Sequence, residues 1–377
     1  MQDILSAGDL NPFHFSGPLH AEEMIDRERE GAELLALAQG GHSIRLVGPR
    51  RYGKTTLLQK VLDDAEAAGM ATVLVDLEDV LSLGGLVARI ERAYARRLRG
   101  SMRDRVERMF STWNIGLSLG GPGFGATLQR SPNTNVEVVL LRLLDLPREL
   151  HERTGVRSLI VFDEIQDILA VDGADGQLRS VIQHHRDAAS YAFAGSAPSM
   201  MERLFADPRR PLLEQAVPRT LVPLPLVEAG DYVRERFART GRDAGDALAA
   251  LLTLARGHPQ RTMMLAHFLW EATPRGELAD ERHWVTAREA ALEHASGYLA
   301  ATWRGWPTNQ RRVALALATT TAGPYTSAVR AQVGIKKASV MSALEALAER
   351  AEIIEPDGRP VLTDPLMELW LARHAAV

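Results

Sequence analysis

The sequence contains no cysteine among its 377 residues. Disulfide bonds, thiol nucleophiles and cysteine-ligated zinc are therefore excluded. No hydrophobic run approaches the roughly 18 consecutive apolar residues of a membrane-spanning helix. The first residues, Met1 to Ile4, lack the basic end and the apolar core of a secretion signal. These absences predict a cytoplasmic protein with no membrane partner.

A strong excess of charge of either sign is also missing. The formal net charge is −4, which argues against wholesale coating of nucleic acid but is compatible with a local basic patch. Hydrophobic residues make up 46% of the chain, enough for more than one core. At about 150 residues per domain, the length predicts two or three domains.

A phosphate-loop pattern follows the first apolar run, Ile44 to Val47. It has the spacing Gly, any four residues, Gly-Lys-Thr, between a predicted strand and a predicted helix. Glycines let the backbone curl so that N–H groups face phosphate oxygens, and the helix adds the positive end of its dipole. We expect Lys54 to reach the β- and γ-phosphates and Thr55 to ligate Mg²⁺. The predicted nucleotide-binding residues of this loop are Gly48, Pro49, Arg50, Arg51, Tyr52, Gly53, Lys54, Thr55 and Thr56.

Two carboxylates end a second diagnostic stretch, Ser158-Leu-Ile-Val-Phe-Asp163-Glu164. Its apolar run predicts a strand buried on both faces, and ligands of open α/β sheets bind at the carboxyl ends of such strands. Asp163 is predicted to hold the water shell of Mg²⁺, and Glu164 to orient and activate the attacking water. Ser196 ends another predicted strand, Tyr191–Gly195, and is expected to sense the γ-phosphate or that water.

Several basic residues have two interpretations each. Arg209 and Arg210 act either in trans on the γ-phosphate of a neighbouring chain, or as one partner of a local charge pair; Arg179 and Arg219 are weaker candidates. His258 and Arg261, at the start of a predicted helix in residues 227–300, either cover the nucleotide as part of a lid or cap their own helix. The sequence leaves both alternatives open.

The arginine-rich helix predicted over Leu83–Phe110 is either a surface for DNA or an acidic partner, or a solvated helix face. A hairpin is predicted around Gly120–Gly123, as a contact with a neighbour or DNA or as an extension of the sheet. We also expect a helix over Asn135–Thr154 broken by Pro147, and an edge strand over Thr220–Leu226. His184 and His185 are predicted to lie on the surface.

The C-terminal segment predicts a winged helix-turn-helix. Helices Gln310–Ala318, Ser327–Val333 and Lys337–Arg350 precede a short hairpin and a last helix. Residues 308–377 hold eight basic and seven acidic residues, a weak charge for a strong DNA binder. We therefore consider DNA binding and protein binding equally compatible with this predicted module. The residues that would face DNA are Lys336, Lys337, Ser339, Ser342 and Arg359.

Six short motifs over about residues 20–377 resemble the archaeal-type ATPases of the STAND branch, which are relatives of AAA+ proteins. The resemblance implies ATP rather than GTP, a sheet in the order 5-1-4-3-2, and a lid that reports nucleotide state to the winged helix. The motifs are Ile25-Asp-Arg-Glu-Arg-Glu30, Gly48-Pro-Arg-Arg-Tyr-Gly-Lys-Thr-Thr56, Val161-Phe-Asp-Glu-Ile-Gln166, Phe193-Ala-Gly-Ser196, Gly257-His-Pro259 and Thr363-Asp-Pro365.

The sequence therefore predicts an α/β P-loop NTPase of the AAA+-like type with a helical lid and a C-terminal winged helix. The expected domains are an N-terminal arm (1–22), an ATPase domain (23–226), a lid (227–305) and the winged helix (306–377). The expected activity is Mg²⁺-dependent ATP hydrolysis, within a homo-oligomer, that rearranges lid and winged helix and acts on DNA. The alternative is a slow nucleotide-gated signalling or scaffold switch that engages a protein partner without DNA.

Overall fold

The structure is a computed structural model that describes residues 10–17, 23–97, 135–320, 334, 336–355 and 358–374. The chain divides into two compact units. The sheet unit comprises residues 28–47 and 57–220, and the helical unit comprises residues 1–27, 48–56 and 221–377. The phosphate loop thus groups with the helical unit. The finer division into four domains stays a prediction.

Strands and helices alternate along the sheet unit, and the first three residues of α2 belong to the helical unit. The elements are α1 (Glu28–Gln39), β1 (Ile44–Val47), α2 (Lys54–Ala67), β2 (Ala71–Asp76), α3 (Leu83–Arg97), α4 (Val136–Thr154), β3 (Ser158–Asp163), a 3-10 helix (Ile165–Ala170), α5 (Ala174–Ile182), β4 (Ala189–Gly195), α6 (Pro198–Phe205) and β5 (Val217–Thr220).

The five strands form one parallel sheet in the order β2-β3-β4-β1-β5. This confirms the predicted order. Strands β3 and β4 are buried along their whole length, as expected for central strands covered on both faces. The rings of Phe162, Tyr191 and Phe193 stack on one another in the core of this unit, with centroids 6.0 to 6.3 Å apart.

The register aligns the carboxyl ends of the strands. Val47, the last residue of β1, pairs with Gly195, the last residue of β4. Phe162 pairs with Phe193, and Asp163 pairs with Asp76. The residues that follow β1, β3 and β4 therefore leave the sheet at one edge.

The prediction that Pro147 breaks its helix is wrong, because α4 continues through this residue to Thr154. A proline removes one backbone hydrogen bond from a helix. Both ends of α4 are capped, since the Asn135 side chain accepts a hydrogen bond from Glu137 N and Gly155 adopts the left-handed conformation (φ 71°). Buried leucines on both sides of Pro147 hold the helix against the core.

The fifth strand lies at the sheet edge, as predicted, but earlier in the chain than expected. Strand β5 covers Val217–Thr220 and begins with a hydrogen bond from Val217 N to Ser43 O of 2.8 Å. Pro223 and Pro225, in the segment predicted as strand, have no N–H to donate to a neighbouring strand. The chain instead enters a helix at Leu226.

The surface prediction for the two histidines is wrong for His185, which is 1% exposed. Helix α5 ends at Ile182, so helical geometry no longer governs the direction of His185. Its Nδ1 is 2.6 Å from the Tyr191 hydroxyl and its Nε2 is 3.0 Å from Asp145 Oδ1. Burial lowers the pKa of His185 although its hydrogen bond to the Asp145 carboxylate opposes this shift. His184 is exposed.

The described part of the helical unit is mostly α-helical and has one apolar core. Its N-terminal segment joins this core, because Phe13 is fully buried and its carbonyl oxygen lies 2.8 Å from His267 Nδ1. The elements are α7 (Leu226–Arg239), α8 (Ala247–Ala255), α9 (Pro259–Ala272), α10 (Glu281–Gly305), α11 (Thr308–Thr319), α12 (Lys337–Glu349), β6 (Ile353–Ile354), β7 (Val361–Leu362) and α13 (Pro365–His374).

Helices α11 and α12, the antiparallel β6–β7 pair and α13 agree with parts of the predicted winged helix. Its middle helix, predicted over Ser327–Val333, lies outside the described residues, so the winged helix stays a prediction. The hairpin predicted around Gly120–Gly123 and the arginine-rich helix beyond Arg97 also lie outside them.

Two leucines of α4 test the packing of the sheet unit. Leu143 is fully buried and Leu141 is 37% exposed. We expect Leu143→Ala to lower the free energy of unfolding by about 2–5 kcal/mol, because the lost methyl groups leave a cavity. The matched variant Leu141→Ala should cost about 0.5 kcal/mol. Urea unfolding measures both, and equal losses would contradict the packing described for α4.

Candidate functional site

The phosphate loop, Gly48 to Thr56, connects β1 with α2. Arg51 and Gly53 adopt the left-handed conformation, with φ of 65° and 81°. Left-handed residues curl the backbone so that successive N–H groups turn to one side, the arrangement that binds anions. A glycine adopts this conformation without the steric cost that a side chain adds. The loop therefore has the local geometry that its sequence predicts.

Lys54 is 5% exposed. Its Nζ donates hydrogen bonds to the carbonyl oxygens of Gly48 (2.9 Å) and Pro49 (3.1 Å), at the start of the same loop. These acceptors hold the ammonium group against its own loop. Thr55, the predicted magnesium ligand, is exposed, and Thr56 is buried.

Tyr52 connects the loop with α9 inside the helical unit. Its ring is 3% exposed and lies 5.0 Å from the ring of His258 in an edge-on arrangement. Burial raises the pKa of Tyr52 to about 12. The His258 Nδ1 accepts a hydrogen bond from Arg261 N (3.3 Å) and so caps α9. Burial lowers the pKa of His258 to about 4, so this ring is neutral at pH 7.

Arg261 is 1% exposed and binds Asp364, in the Thr363-Asp-Pro365 motif. Its Nε donates to Asp364 Oδ1 (2.9 Å), and a second guanidinium nitrogen donates to Oδ2. Burial raises the pKa of Asp364, but the charge and hydrogen bonds of Arg261 outweigh burial and lower it. Asp364 Oδ1 also accepts from Leu366 N (2.9 Å) at the start of α13. A role of His258 or Arg261 in binding nucleotide stays a prediction.

The acidic pair lies where β3 ends. Asp163 is 5% exposed, and its Oδ1 accepts a hydrogen bond from Glu164 N (3.1 Å). Glu164 adopts the left-handed conformation (φ 50°), which is strained for a residue with a side chain. Its Oε2 accepts hydrogen bonds from Ser196 N (3.1 Å) and Ser196 Oγ (2.7 Å). The adjacent strands β3 and β4 thus bring two predicted catalytic residues together.

A third donor to Glu164 was not predicted from the sequence. Gln166 Nε2 donates to Glu164 Oε2 at 2.6 Å. Gln166 is 4% exposed. Its signal in the sequence is its place two positions after Glu164, at the end of the motif Val161-Phe-Asp-Glu-Ile-Gln166.

The candidate trans-acting arginines make local polar contacts in the sheet unit, and three of these contacts are ion pairs. Arg210 lies 3.1 Å from Asp175 Oδ2, and Arg209, whose side chain is 88% exposed, lies 3.0 Å from Asp207 Oδ2. The hydrogen bond from Arg209 lowers the pKa of Asp207 to about 2. Arg219 pairs with Glu33 at 2.6 Å, and Arg179 donates to Gln183. Action in trans stays a prediction for all four.

In the part of the chain that the structure describes, no three His, Asp or Glu residues lie where they would hold a metal ion together. The Thr55 hydroxyl and the Asp163 carboxylate are hard oxygen donors. Magnesium prefers such donors and is usually held by one or two protein groups together with phosphate oxygens and water. The chemistry of these residues therefore fits Mg²⁺. No helix among the described residues has the length and apolar character needed to cross a membrane.

The parallel order β2-β3-β4-β1-β5, a phosphate loop directly after β1 and an Asp-Glu pair after β3 define an α/β P-loop NTPase fold of the AAA+-like type. The model of the AAA-like domain family matches residues 16–82. No curated protein matches the chain.

Two solved structures share the fold over nearly the whole chain. A Walker-type ATPase of Pyrococcus abyssi superposes with a TM-score of 0.70 at 18% identity, over 96% of this chain and 99% of that one. The ORC2 protein of Aeropyrum pernix, in a structure of its ADPNP-ADP complexes, has a TM-score of 0.56 at 13% identity, over 96% and 98%. The predicted archaeal-type P-loop fold is thereby confirmed.

The neutral, buried His258 predicts a pH dependence of stability. The unfolded chain binds a proton at this residue below about pH 6.5 and the folded chain only below about pH 4. The folded state is therefore favoured above pH 6.5 and loses up to about 3 kcal/mol from this group as the pH falls to 4.

We expect His258→Asn, which keeps a helix-capping side chain, to reduce the loss of unfolding free energy between pH 7 and pH 4.5. Urea unfolding at several pH values measures this slope, which is independent of any constant destabilisation by the smaller side chain. The exposed control His184→Asn should retain the wild-type slope. An unchanged slope in His258→Asn would show that the buried imidazole does not titrate as described.

Proposed function

We propose that the protein binds ATP with Mg²⁺ and hydrolyses it, and that its nucleotide state rearranges the lid and the C-terminal module. One observation carries this proposal. The ammonium group of Lys54 is buried and donates hydrogen bonds to carbonyl oxygens of its own phosphate loop. A buried cation is costly unless it meets strong acceptors. Phosphate oxygens carry charge and accept hydrogen bonds from an ammonium group more strongly than carbonyl oxygens do, so Lys54 is placed to bind a nucleotide phosphate.

Each predicted catalytic residue then has one role. Lys54 and the loop N–H groups bind the phosphates, and Thr55 and Asp163 would hold Mg²⁺, which neutralises phosphate charge when bound. Glu164 orients the attacking water and accepts its proton. Ser196 donates two hydrogen bonds to Glu164 and so limits the positions that this carboxylate adopts.

Two observations support the finer parts of the proposal. The A. pernix ORC2 protein, which shares this fold, has been solved as ADPNP-ADP complexes, which favours an adenine nucleotide. The Arg209 side chain is 88% exposed, so it is accessible to a second copy of the chain. In a homo-oligomer, Arg209 or Arg210 would reach the γ-phosphate of the neighbour, as arginine fingers do.

Two substitutions separate binding from hydrolysis. We expect Lys54→Ala to lower ATP affinity more than about tenfold, because it removes the cation that meets the phosphates. Glu164→Gln should keep wild-type affinity and lower kcat about 100-fold or more, because an amide cannot accept the proton. Equilibrium binding of a fluorescent ATP analogue and phosphate release measure the two effects.

The matched control is Lys60→Ala, which removes a lysine from the same helix, α2, where it pairs with Asp64 at 2.6 Å. It should leave affinity and kcat unchanged. Wild-type affinity in Lys54→Ala would refute the assignment of the phosphate loop, and wild-type kcat in Glu164→Gln would refute the role of Glu164.

A contiguous set of contacts in the helical unit supports nucleotide-driven rearrangement. Tyr52 of the phosphate loop contacts His258, His258 caps the helix that carries Arg261, and Arg261 binds Asp364 at the start of α13. A nucleotide that moves the phosphate loop would change the contact between Tyr52 and His258. Through α9, this change would alter the stability of the contact between Arg261 and Asp364. A ligand shifts such an equilibrium only if it binds the two arrangements with different affinity.

Asp364→Asn tests this coupling, because asparagine keeps a helix-capping oxygen but removes the charge that faces Arg261. In the wild type, trypsin should cleave residues 306–374 at rates that differ about threefold or more between ADP and ADPNP. We expect the difference to disappear in Asp364→Asn. The control Glu368→Gln, which removes the surface partner of Arg256 on the same helix, should keep it. Equal wild-type rates with both nucleotides would contradict the rearrangement.

The nucleotide cycle has two candidate functions, action on DNA and a switch that engages a protein partner, and one observation favours each. Lys336, Lys337 and Arg359 are exposed, which favours contact with DNA phosphates. Residues 308–377 have a nearly balanced charge. Two of their arginines already have partners, since Arg373 pairs with Glu289 and Arg350 donates to Gln310. These observations favour a switch that binds a protein partner. A DNA-acting ATPase should hydrolyse ATP faster with duplex DNA and bind it with steep salt dependence. A rate that DNA leaves unchanged would favour the switch.

A further inference from the structure

The side-chain amide of Gln166 is buried, and its nitrogen and oxygen differ in their hydrogen bonding. Its Nε2 donates to Glu164 Oε2 at 2.6 Å. Its Oε1 is buried and accepts no hydrogen bond from any residue that the structure describes. A buried acceptor without a donor destabilises the folded state, and leucine would fill similar space without this cost. A glutamine at this position therefore requires a gain from its donor end.

The donor end completes a set of three donors on one oxygen. Glu164 Oε2 accepts from Ser196 N, Ser196 Oγ and Gln166 Nε2 at 3.1, 2.7 and 2.6 Å. The backbone donor is fixed, because Ser196 directly follows Gly195, which pairs with Val47 in the sheet. A carboxylate held at one oxygen by three donors cannot rotate without breaking them. The direction of its second oxygen is thereby fixed as well.

The amide oxygen of Gln166 lies close to the backbone of Gly195. A Cβ atom at Gly195 would lie 2.5 Å from Gln166 Oε1 and 2.4 Å from Met201 Sδ. Both distances are too short for any side chain, so the Gln166 amide lies directly against the backbone of β4. This close approach limits the positions of the amide that donates to Glu164.

We propose that Gln166 is a positioning residue for ATP hydrolysis, which holds the Glu164 carboxylate in the orientation that accepts the proton of the attacking water. This inference rests on the proposed function. A base that is already oriented spares the reaction the cost of orienting it. The hydrogen bond of Gln166 is to the Glu164 carboxylate, so we expect Gln166 to affect kcat and to leave nucleotide affinity unchanged.

Gln166→Leu removes the donor at similar volume. We expect kcat to fall about 10- to 100-fold, while KM for ATP and the affinity for ADPNP stay within about twofold of wild type. The matched control is Gln177→Leu in α5, since the Gln177 Oε1 is also buried and accepts no hydrogen bond in the described ranges. This control should retain the wild-type kcat.

Gln166→Glu distinguishes positioning from packing and covers the case in which the leucine variant does not fold. The new carboxyl group is isosteric with the amide, but once it is deprotonated at high pH it has no proton to donate to Glu164 Oε2. We expect a low kcat at pH 8 and a relative recovery towards pH 6, because protonation restores a donor to Oε2. The kcat of the wild type, normalised in the same way, should not rise over this range.

Ser196→Ala combined with Gln166→Leu completes the test. Because both residues restrain the same oxygen, the double variant should lose less kcat than the product of the two single losses. If the wild type hydrolyses ATP, then a wild-type or raised kcat in Gln166→Leu, or a change in KM alone, overturns the positioning role and leaves the proposed function standing. If the wild type hydrolyses no ATP while Lys54-dependent binding is present, the proposed hydrolysis fails, and the positioning role fails with it.

Discussion

The parallel pairing of β3 with β4 is the constraint on which the catalytic half of the candidate site depends. Both strands are buried along their whole length, and their register pairs Phe162 with Phe193. A slip of one residue would turn the apolar side chains of a strand to its opposite face. The stacked rings of Phe162, Tyr191 and Phe193 oppose such a slip. The register therefore determines that Glu164 and Ser196, which follow these strands, lie within hydrogen-bond distance.

A buried arginine of the helical unit shows how a charged partner stabilises the fold. Arg261 donates to both carboxylate oxygens of Asp364, and removing that carboxylate would leave the guanidinium group buried without its counter-charge. Arg261 therefore anchors the start of α13. Lys54, another buried cation of this unit, donates to the carbonyl oxygens of Gly48 and Pro49 within the loop whose sequence predicts phosphate binding.

Sequence-based predictions agree with the structure where the pattern lies within one short segment of the chain. The positions of β1, α2 and β3, the phosphate loop and the strand order agree with the sequence-based expectation. Predictions were wrong where packing overrides a local preference. Pro147 stays within α4 because capped ends and buried leucines outweigh one missing hydrogen bond. His185 is buried because Asp145 of α4, 40 residues earlier, and Tyr191 of β4 supply its polar partners.

The sequence alone predicts the chemistry proposed for this chain, since a loop of nine consecutive residues and an Asp-Glu pair after an apolar run are both local patterns. It also determined the fold class, because the period of the apolar residues reports which segments are buried strands. Which side chains meet in space depends on the tertiary structure. Gln166 and Ser196 are 30 residues apart, and they meet on one carboxylate oxygen only because β3 and β4 are neighbours. Likewise, Arg261 finds Asp364 across 103 residues of chain, a pairing that depends on how helices pack and has no periodic signal in the sequence.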